Sequence, residues 1–238
     1  MKILGIDLAT EPSKTGVVML EVDSTGHQVA HRVDGFPNDD LLVALAKEAD
    51  VIGVDAPFGW PMGFIESLSE HGAGRPWLPG ADRASLRHRR TDLAVHAATG
   101  IWPLSVSTDK LGATAMRCAH LQTRWANEVW EGVAAARDGS GRLIEVYPAA
   151  TLKMLGLPHQ SYKGPNGTER RRVILAGLEA WVDVADVHAV SLASDDMLDA
   201  VVAALTAHAA AEGFTSRPAE GPELDAALVE GWIHMRKS

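Results

Sequence analysis

Short apolar runs, each broken by a single acid, alternate along this chain with turn-rich and helix-patterned segments. Lys2 to Ala9 (KILGIDLA) is rich in β-formers and interrupted by Asp7, and it reads as a buried strand. Gly16 to Val22 follows a turn containing Pro12, and His27 to Val33 follows a second turn at Ser24-Thr25-Gly26. Three strands joined by short turns predict an antiparallel meander. Asn38 to Ala49 has Asn38 or Asp39 as a cap and Leu41, Leu42, Leu45 and Ala49 on one face, the pattern of a helix. Val51 to Asp55 (VIGVD) is again compact, apolar and ended by an acid. A helix leading into a buried strand implies a crossover to a parallel neighbour.

The next stretch, 56–82, carries Pro57, Pro61, Pro76 and Pro79 and reads as a long irregular excursion. Helices are expected over Asp82 to Ala98 and Leu111 to Ala136, a fifth strand over Arg142 to Tyr147, then helices over Ala149 to Leu155 and Glu169 to Trp181. Asp195 to Ala211 is the strongest helix pattern, capped by Ser194 and ended at Gly213. The tail Glu230 to Met235 fits a short strand or a helix end. The whole order is that of a ribonuclease H-like α/β domain spanning 1–238. Such a domain has a mixed five-stranded sheet, helices on both faces and an insertion at about 56–140 after the fourth strand.

The interrupting acids carry the chemistry. A carboxylate inside an apolar strand is costly unless it is paired or binds a cation. Asp7 and Asp55 end strands expected to be parallel neighbours, and Glu145 interrupts the fifth strand in the same way. Asp196 and Asp199 are three apart and share a face of the last strong helix, with Asp195 about a quarter-turn off. If that helix rests on the strand ends, Asp7, Asp55, Glu145, Asp196 and Asp199 form one oxygen-rich site for Mg²⁺ or Mn²⁺. Two such ions about 3.5–4 Å apart can activate a water and stabilise the leaving oxygen in phosphodiester cleavage. Each acid also has a plainer use: a turn for Asp7, an exit cap for Asp55, an arginine partner for Glu145, a helix cap for Asp195 and Asp196.

Composition narrows the class. Apolar residues make up 46% of the chain, enough for a sizeable core. Cys118 is the only cysteine, which fits a reducing compartment, and no apolar run approaches the ~20 residues of a membrane helix. A cytoplasmic protein without membrane contact is the expectation. Net charge is −9, which weighs against a dedicated nucleic-acid binder. Two basic clusters, Arg83, Arg87, Arg89 and Arg90 around His88 and Arg170 to Arg172, are either solvated faces or contacts to an anionic substrate. Glycine-rich nucleotide loops, zinc spacings and the GxSxG elbow are missing.

Five ordered segments resemble domain-of-unknown-function family 429: GIDLA from Gly5, VDAPFGWP from Val54, RRTD from Arg89, EVYPAA from Glu145 and SDDMLDAVVAALTA from Ser194. EGWI at Glu230 to Ile233 is in character. The resemblance implies predicted nucleases of ribonuclease H fold, with kinship to Holliday-junction resolvases and nucleic acid as substrate. In those, acids on the first and fourth strands and two acids three apart on the last helix bind the metals. Asp7, Asp55, Asp196 and Asp199 fit that pattern, with Asp55 where the resolvases favour Glu. Arg90 pairs with Asp92 or binds a substrate phosphate, and Lys153 and Lys163, which follow the fifth strand, are further candidates for a phosphate contact. Trp60, Trp77 and Trp102 serve as core or as stacking platforms. A homodimer would suit a two-strand cutter, though no residue pattern points to one. Two other readings share the core: a phosphotransferase of the actin and sugar-kinase superfamily, disfavoured because Asp7-Leu8-Ala9-Thr10 lacks glycine, and a non-catalytic scaffold.

Overall fold

Six strands form one mixed sheet in the order β3-β2-β1-β4-β5-β6, seen in a computed structural model that describes residues 1–77, 83–107 and 109–237. The strands are β1 (Lys2–Asp7), β2 (Gly16–Val22), β3 (Gln28–Arg32), β4 (Val51–Asp55), β5 (Leu143–Val146) and β6 (Ile233–His234). β1, β2 and β3 are the antiparallel meander, and β4, β5 and β6 run parallel to β1. The expected count of five is corrected to six. The tail resolves as a two-residue strand, too short to carry a period, which pairs with β5 only after the chain has passed through every helix.

The helices are α1 (Asp39–Glu48), α2 (Met62–Gly72), α3 (Arg83–Arg87), α4 (Arg90–Thr99), α5 (Asp109–Glu128), α6 (Pro148–Met154), α7 (Thr168–Leu178), α8 (His188–Ala193), α9 (Asp195–Ala211) and α10 (Pro222–Glu230). Asp82, the expected start of a single long helix, lies outside the described residues. Two helices, α3 and α4, stand in place of that single one, because Arg89 turns extended and inward between them. α2 replaces part of the expected irregular stretch. Its first amide, Met62 N–H, is capped by the Glu230 carboxylate at 2.9 Å, and the other oxygen of Glu230 accepts from Arg90 N–H at 2.7 Å. One acid distant in sequence thus caps two helices, a tertiary device that no local pattern reveals.

Strand alternation divides the core. Ile3, Val18 and Leu20 face α9 and α7, while Leu4, Ile6, Ile52 and Val54 face α1 and α5 around Trp125. α9 lies directly on β1, β2 and β4. It comes this close because the sheet offers glycine beneath it. A Cβ on Gly5 would strike the Ala200 carbonyl, one on Gly53 the Ala203 carbonyl, and one on Gly16 the Asp196 carbonyl. Gly16→Ala is therefore expected to push the first turn of α9 off the sheet. The cost should be about 2–3 kcal/mol, read as a lower urea midpoint at unchanged slope. An unchanged midpoint would mean that the helix can shift freely.

Candidate functional site: an acidic cleft at the strand ends

The same alternation aims the acids. Asp7 follows Ile3 and Gly5 on the α9 face of β1, and Asp55 follows Gly53 on that face of β4. The parallel register sets Asp7 directly beside Asp55. Asp199 is fully buried on α9 and joins them from above. Tyr162 donates its hydroxyl to Asp199 Oδ1 at 2.8 Å, and Lys163 Nζ lies 2.7 Å from Oδ2 as an ion pair. That second oxygen is shut off from solvent, with the ammonium as its partner. Asp196, one turn earlier and half-buried, faces the same side, with Ser194 Oγ at 3.4 Å. Asp195 points elsewhere and accepts from Gly164 N–H at 3.0 Å.

The charges strain one another. Burial, then the charges of Asp55 and Asp199, push the Asp7 carboxyl well above its ordinary range. Burial pushes Asp55 up to about 7, against the pull of Lys163 and with Asp199 and Glu145 adding to the rise. Asp199 is raised by burial and partly relieved by Lys163 and Tyr162. The ammonium of Lys163 is held charged by Asp199, Asp55 and Asp7, which outweigh its own burial. For Asp55 the folded-state value exceeds the unfolded one, so the folded protein holds the extra proton between about pH 4 and 7. Its contribution to stability is then lost as pH rises through that window. The melting temperature of Asp55→Asn should accordingly match the wild type near pH 4 and exceed it increasingly up to pH 8, in the absence of divalent ions. Parallel curves would show that Asp55 carries no such shift.

Lys163 is placed by a buried staple. Arg171 donates to the carbonyls of Tyr162 at 2.7 Å, Gly164 at 2.8 Å and Leu192 at 2.9 Å. Arg172 pairs with Glu169. Of the Arg170 to Arg172 cluster, Arg171 is thus internal wiring, while Arg170 and Arg172 are exposed. The expected cluster around His88 divides likewise: Arg89 is buried, Arg90 is exposed and the Arg83 side chain lies outside the described residues.

Glu145 is close in space to the other acids but is committed elsewhere. It pairs with Val54, so it faces away from α9, while its neighbours Ile144 and Val146 face toward it. Arg89 grips it with two nitrogens, Nη1 to Oε2 at 3.0 Å and Nη2 to Oε1 at 2.8 Å, and Phe58 N–H adds a bond at 3.1 Å. The same guanidinium reaches Asp92 at 3.0 Å. Asp92 therefore pairs with Arg89 and not with Arg90, whose exposed side chain lies outside the lining of the cleft. Gly231 completes this knot. At φ 90° it sits where a Cβ would strike Glu145, Phe58 and Arg89, which accounts for the glycine of EGWI.

Asp7, Asp55 and Lys163 line a cleft of about 510 Å³. Its walls are largely apolar: Pro57, Pro103, Leu104, Leu111 and Tyr147. Trp60 lines a different groove, Trp102 stacks on His96 at 3.9 Å, and none of Trp60, Trp77 and Trp102 lines the cleft. The loop after β1 is tied down, with Arg117 donating to Ala9 O at 2.6 Å and Thr10 Oγ1 3.1 Å from Thr114 Oγ1. The functional residues that the sequence pattern missed are Tyr162, Arg89, Arg171 and Glu230, since each acts through a partner distant along the chain.

The donor chemistry suits a hard divalent cation: three crowded carboxylates, each with a raised proton affinity. Among the described residues, however, no three His, Cys, Asp or Glu side chains are grouped closely enough to hold an ion as they stand. Lys163 occupies that electrostatic role. An ion would have to draw the carboxylates together and displace the ammonium.

A mixed α/β sheet with an acidic cleft at its parallel strand ends thus defines the molecule. The chain belongs to the family described as Protein of unknown function (DUF429), whose model matches residues 5–223. No curated protein and no solved structure gives a match. Among the described residues no helix is long and apolar enough to cross a membrane.

Proposed function

We propose that the chain is a divalent-cation-dependent phosphodiesterase of ribonuclease H-like architecture that hydrolyses nucleic-acid phosphodiester bonds. One observation carries this reading: Asp7 and Asp55 are register partners on one face, and the buried Asp199 closes over them. The β3-β2-β1-β4-β5 core, with α9 laid across it, supports the ribonuclease H-like assignment.

Asp7, Asp55 and Asp199 would hold the Mg²⁺ or Mn²⁺, with Asp196 half-buried beside them. The cation, when bound, lowers the pKa of a water and steadies charge on the leaving oxygen. Tyr162 fixes the Asp199 carboxylate through its Oδ1. Lys163, released from Asp199, turns its ammonium to a phosphate oxygen. The apolar walls keep bulk water from the reacting phosphorus. Water adds to phosphorus, the ester P–O bond breaks, and the water's proton ends on the departing oxygen. Glu145 and Arg90 take no part, the first because Arg89 occupies both its oxygens.

Lys163→Met separates these roles. The Lys163 side chain is 56% exposed and its pair with the buried Asp199 is partly screened, so metal affinity is expected to rise by roughly tenfold. Hydrolysis should fall even at saturating metal. Weaker metal binding in this variant would contradict the competition. The direct test of the function is Mn²⁺-dependent hydrolysis of bis(p-nitrophenyl) phosphate by the wild type and its loss in Asp55→Asn. No hydrolysis, together with no Mn²⁺-induced change in melting temperature, would overturn the proposal.

A further inference from the structure

We infer that the cleft takes a phosphoester carrying a single nucleoside, either a free nucleotide ester or the end of a single strand, and not an internal phosphodiester of a duplex. This rests on the phosphodiesterase reading above and narrows its substrate.

The first ground is shape. The acids line a cleft of about 510 Å³, within the roughly 300–1,000 Å³ of small-molecule sites. Pro103 and Leu104, which precede α5, Leu111 within it, and Tyr147 after β5 all line it. A phosphate at Asp7 and Asp55 shares the cleft with Leu104, Leu111 and Tyr147. One nucleoside unit can enter with its base against Tyr147 and Leu104, whereas the backbone of a paired duplex stays outside. Leu104 is 54% exposed although it lines the cleft, an apolar contact left open at the rim. Such surfaces accept a base face without reading its edges.

The second ground is charge. Duplex binding needs a track of Lys and Arg along the phosphates. Among the described residues, the Lys and Arg side chains that line the cleft are Arg89 and Lys163, and Arg89 is locked to Glu145. Arg117 and Arg171, close behind the walls, donate to backbone carbonyls. The net charge of −9 weighs further against binding a ladder of phosphates.

The test compares three substrates in Mn²⁺: the p-nitrophenyl ester of thymidine 5′-monophosphate, an end-labelled single-stranded 20-mer and a covalently closed duplex circle. It adds calorimetric binding of thymidine 5′-monophosphate in Ca²⁺ to the full chain. The nucleoside ester should be hydrolysed at least about 100-fold faster than the closed duplex is nicked. The 20-mer tells the two sources apart: release of single nucleotides from its end marks a strand-end enzyme, and an intact strand marks a nucleotide enzyme. Leu104→Ala should raise KM for the nucleoside ester and weaken thymidine 5′-monophosphate binding several-fold, with melting unchanged because the side chain is half exposed. Nicking of the closed circle as fast as ester hydrolysis, or no nucleotide binding in Ca²⁺, overturns this inference while the metal site stands. If no phosphodiester is hydrolysed and Mn²⁺ leaves the melting curve unmoved, the phosphodiesterase reading fails, and this one with it.

Discussion

Asp7→Asn is expected to lower metal-dependent hydrolysis by about 10²–10³-fold while raising the melting temperature of the metal-free protein. Both effects come from one cause. Asp7 is held among Asp55, Asp199 and Asp196, and burial denies its charge the solvation it has in water. Asparagine keeps the shape and removes the charge, so the apo fold loses a repulsion. The same change removes an anionic oxygen from the cation's ligand set, and the loss of one such electrostatic interaction typically costs about 10²–10³ in rate. The opposite signs distinguish a functional acid from a structural one. If Asp7 instead satisfied a turn, its loss would lower stability and leave rate per folded molecule unaltered. Calorimetric melting without divalent ions, alongside hydrolysis of bis(p-nitrophenyl) phosphate in Mn²⁺, reads both quantities.

Arg89→Met is expected to destabilise the fold by about 3–5 kcal/mol, because it strands two buried carboxylates, Glu145 and Asp92. That is a large share of the roughly 5–15 kcal/mol by which a domain is stable. The loss should shrink at low pH. Burial already raises the Glu145 carboxyl, with Arg89 opposing the rise, so without Arg89 it takes up a proton more readily. In the folded variant its value lies further above the unfolded one, and stability falls as pH rises through that range. Should Arg89→Met fail to fold, Glu145→Gln carries the same test more gently: it weakens the grip of Arg89 and lowers the urea midpoint. Its Mn²⁺ affinity should equal that of the wild type, whereas a drop would return Glu145 to the metal site.

The two carboxylates of the central strands were legible because each breaks an apolar run at the same place in its strand. The register of β1 and β4 follows from Gly5 opposite Gly53, which lets one alanine-rich helix cover both. Asp199 was legible for a related reason, an acid amid Leu198, Ala200 and Val201. Glu145 shows where that logic stops. It interrupts its strand just as Asp7 does, but which face an interrupting acid occupies depends on pairing, and a shift of one residue sends it to Arg89. Arg89 and Arg90 are adjacent, and only the packing of Gly231 and Glu145 decides which turns inward. α2 and β6 were hidden for another reason: their partners, Glu230 and β5, are remote in sequence. Lys163 was anticipated as a phosphate ligand, but its ion pair with Asp199 depends on the Arg171 staple, which sequence presents as one basic residue among three.

The most direct measurement is anomalous scattering from crystals of the full chain grown at pH 8 and soaked in Mn²⁺. The account predicts a peak ringed by oxygens of Asp7, Asp55 and Asp199, with the Lys163 ammonium withdrawn from Asp199. A map without a peak there, and with Lys163 still seated on Asp199, would contradict it.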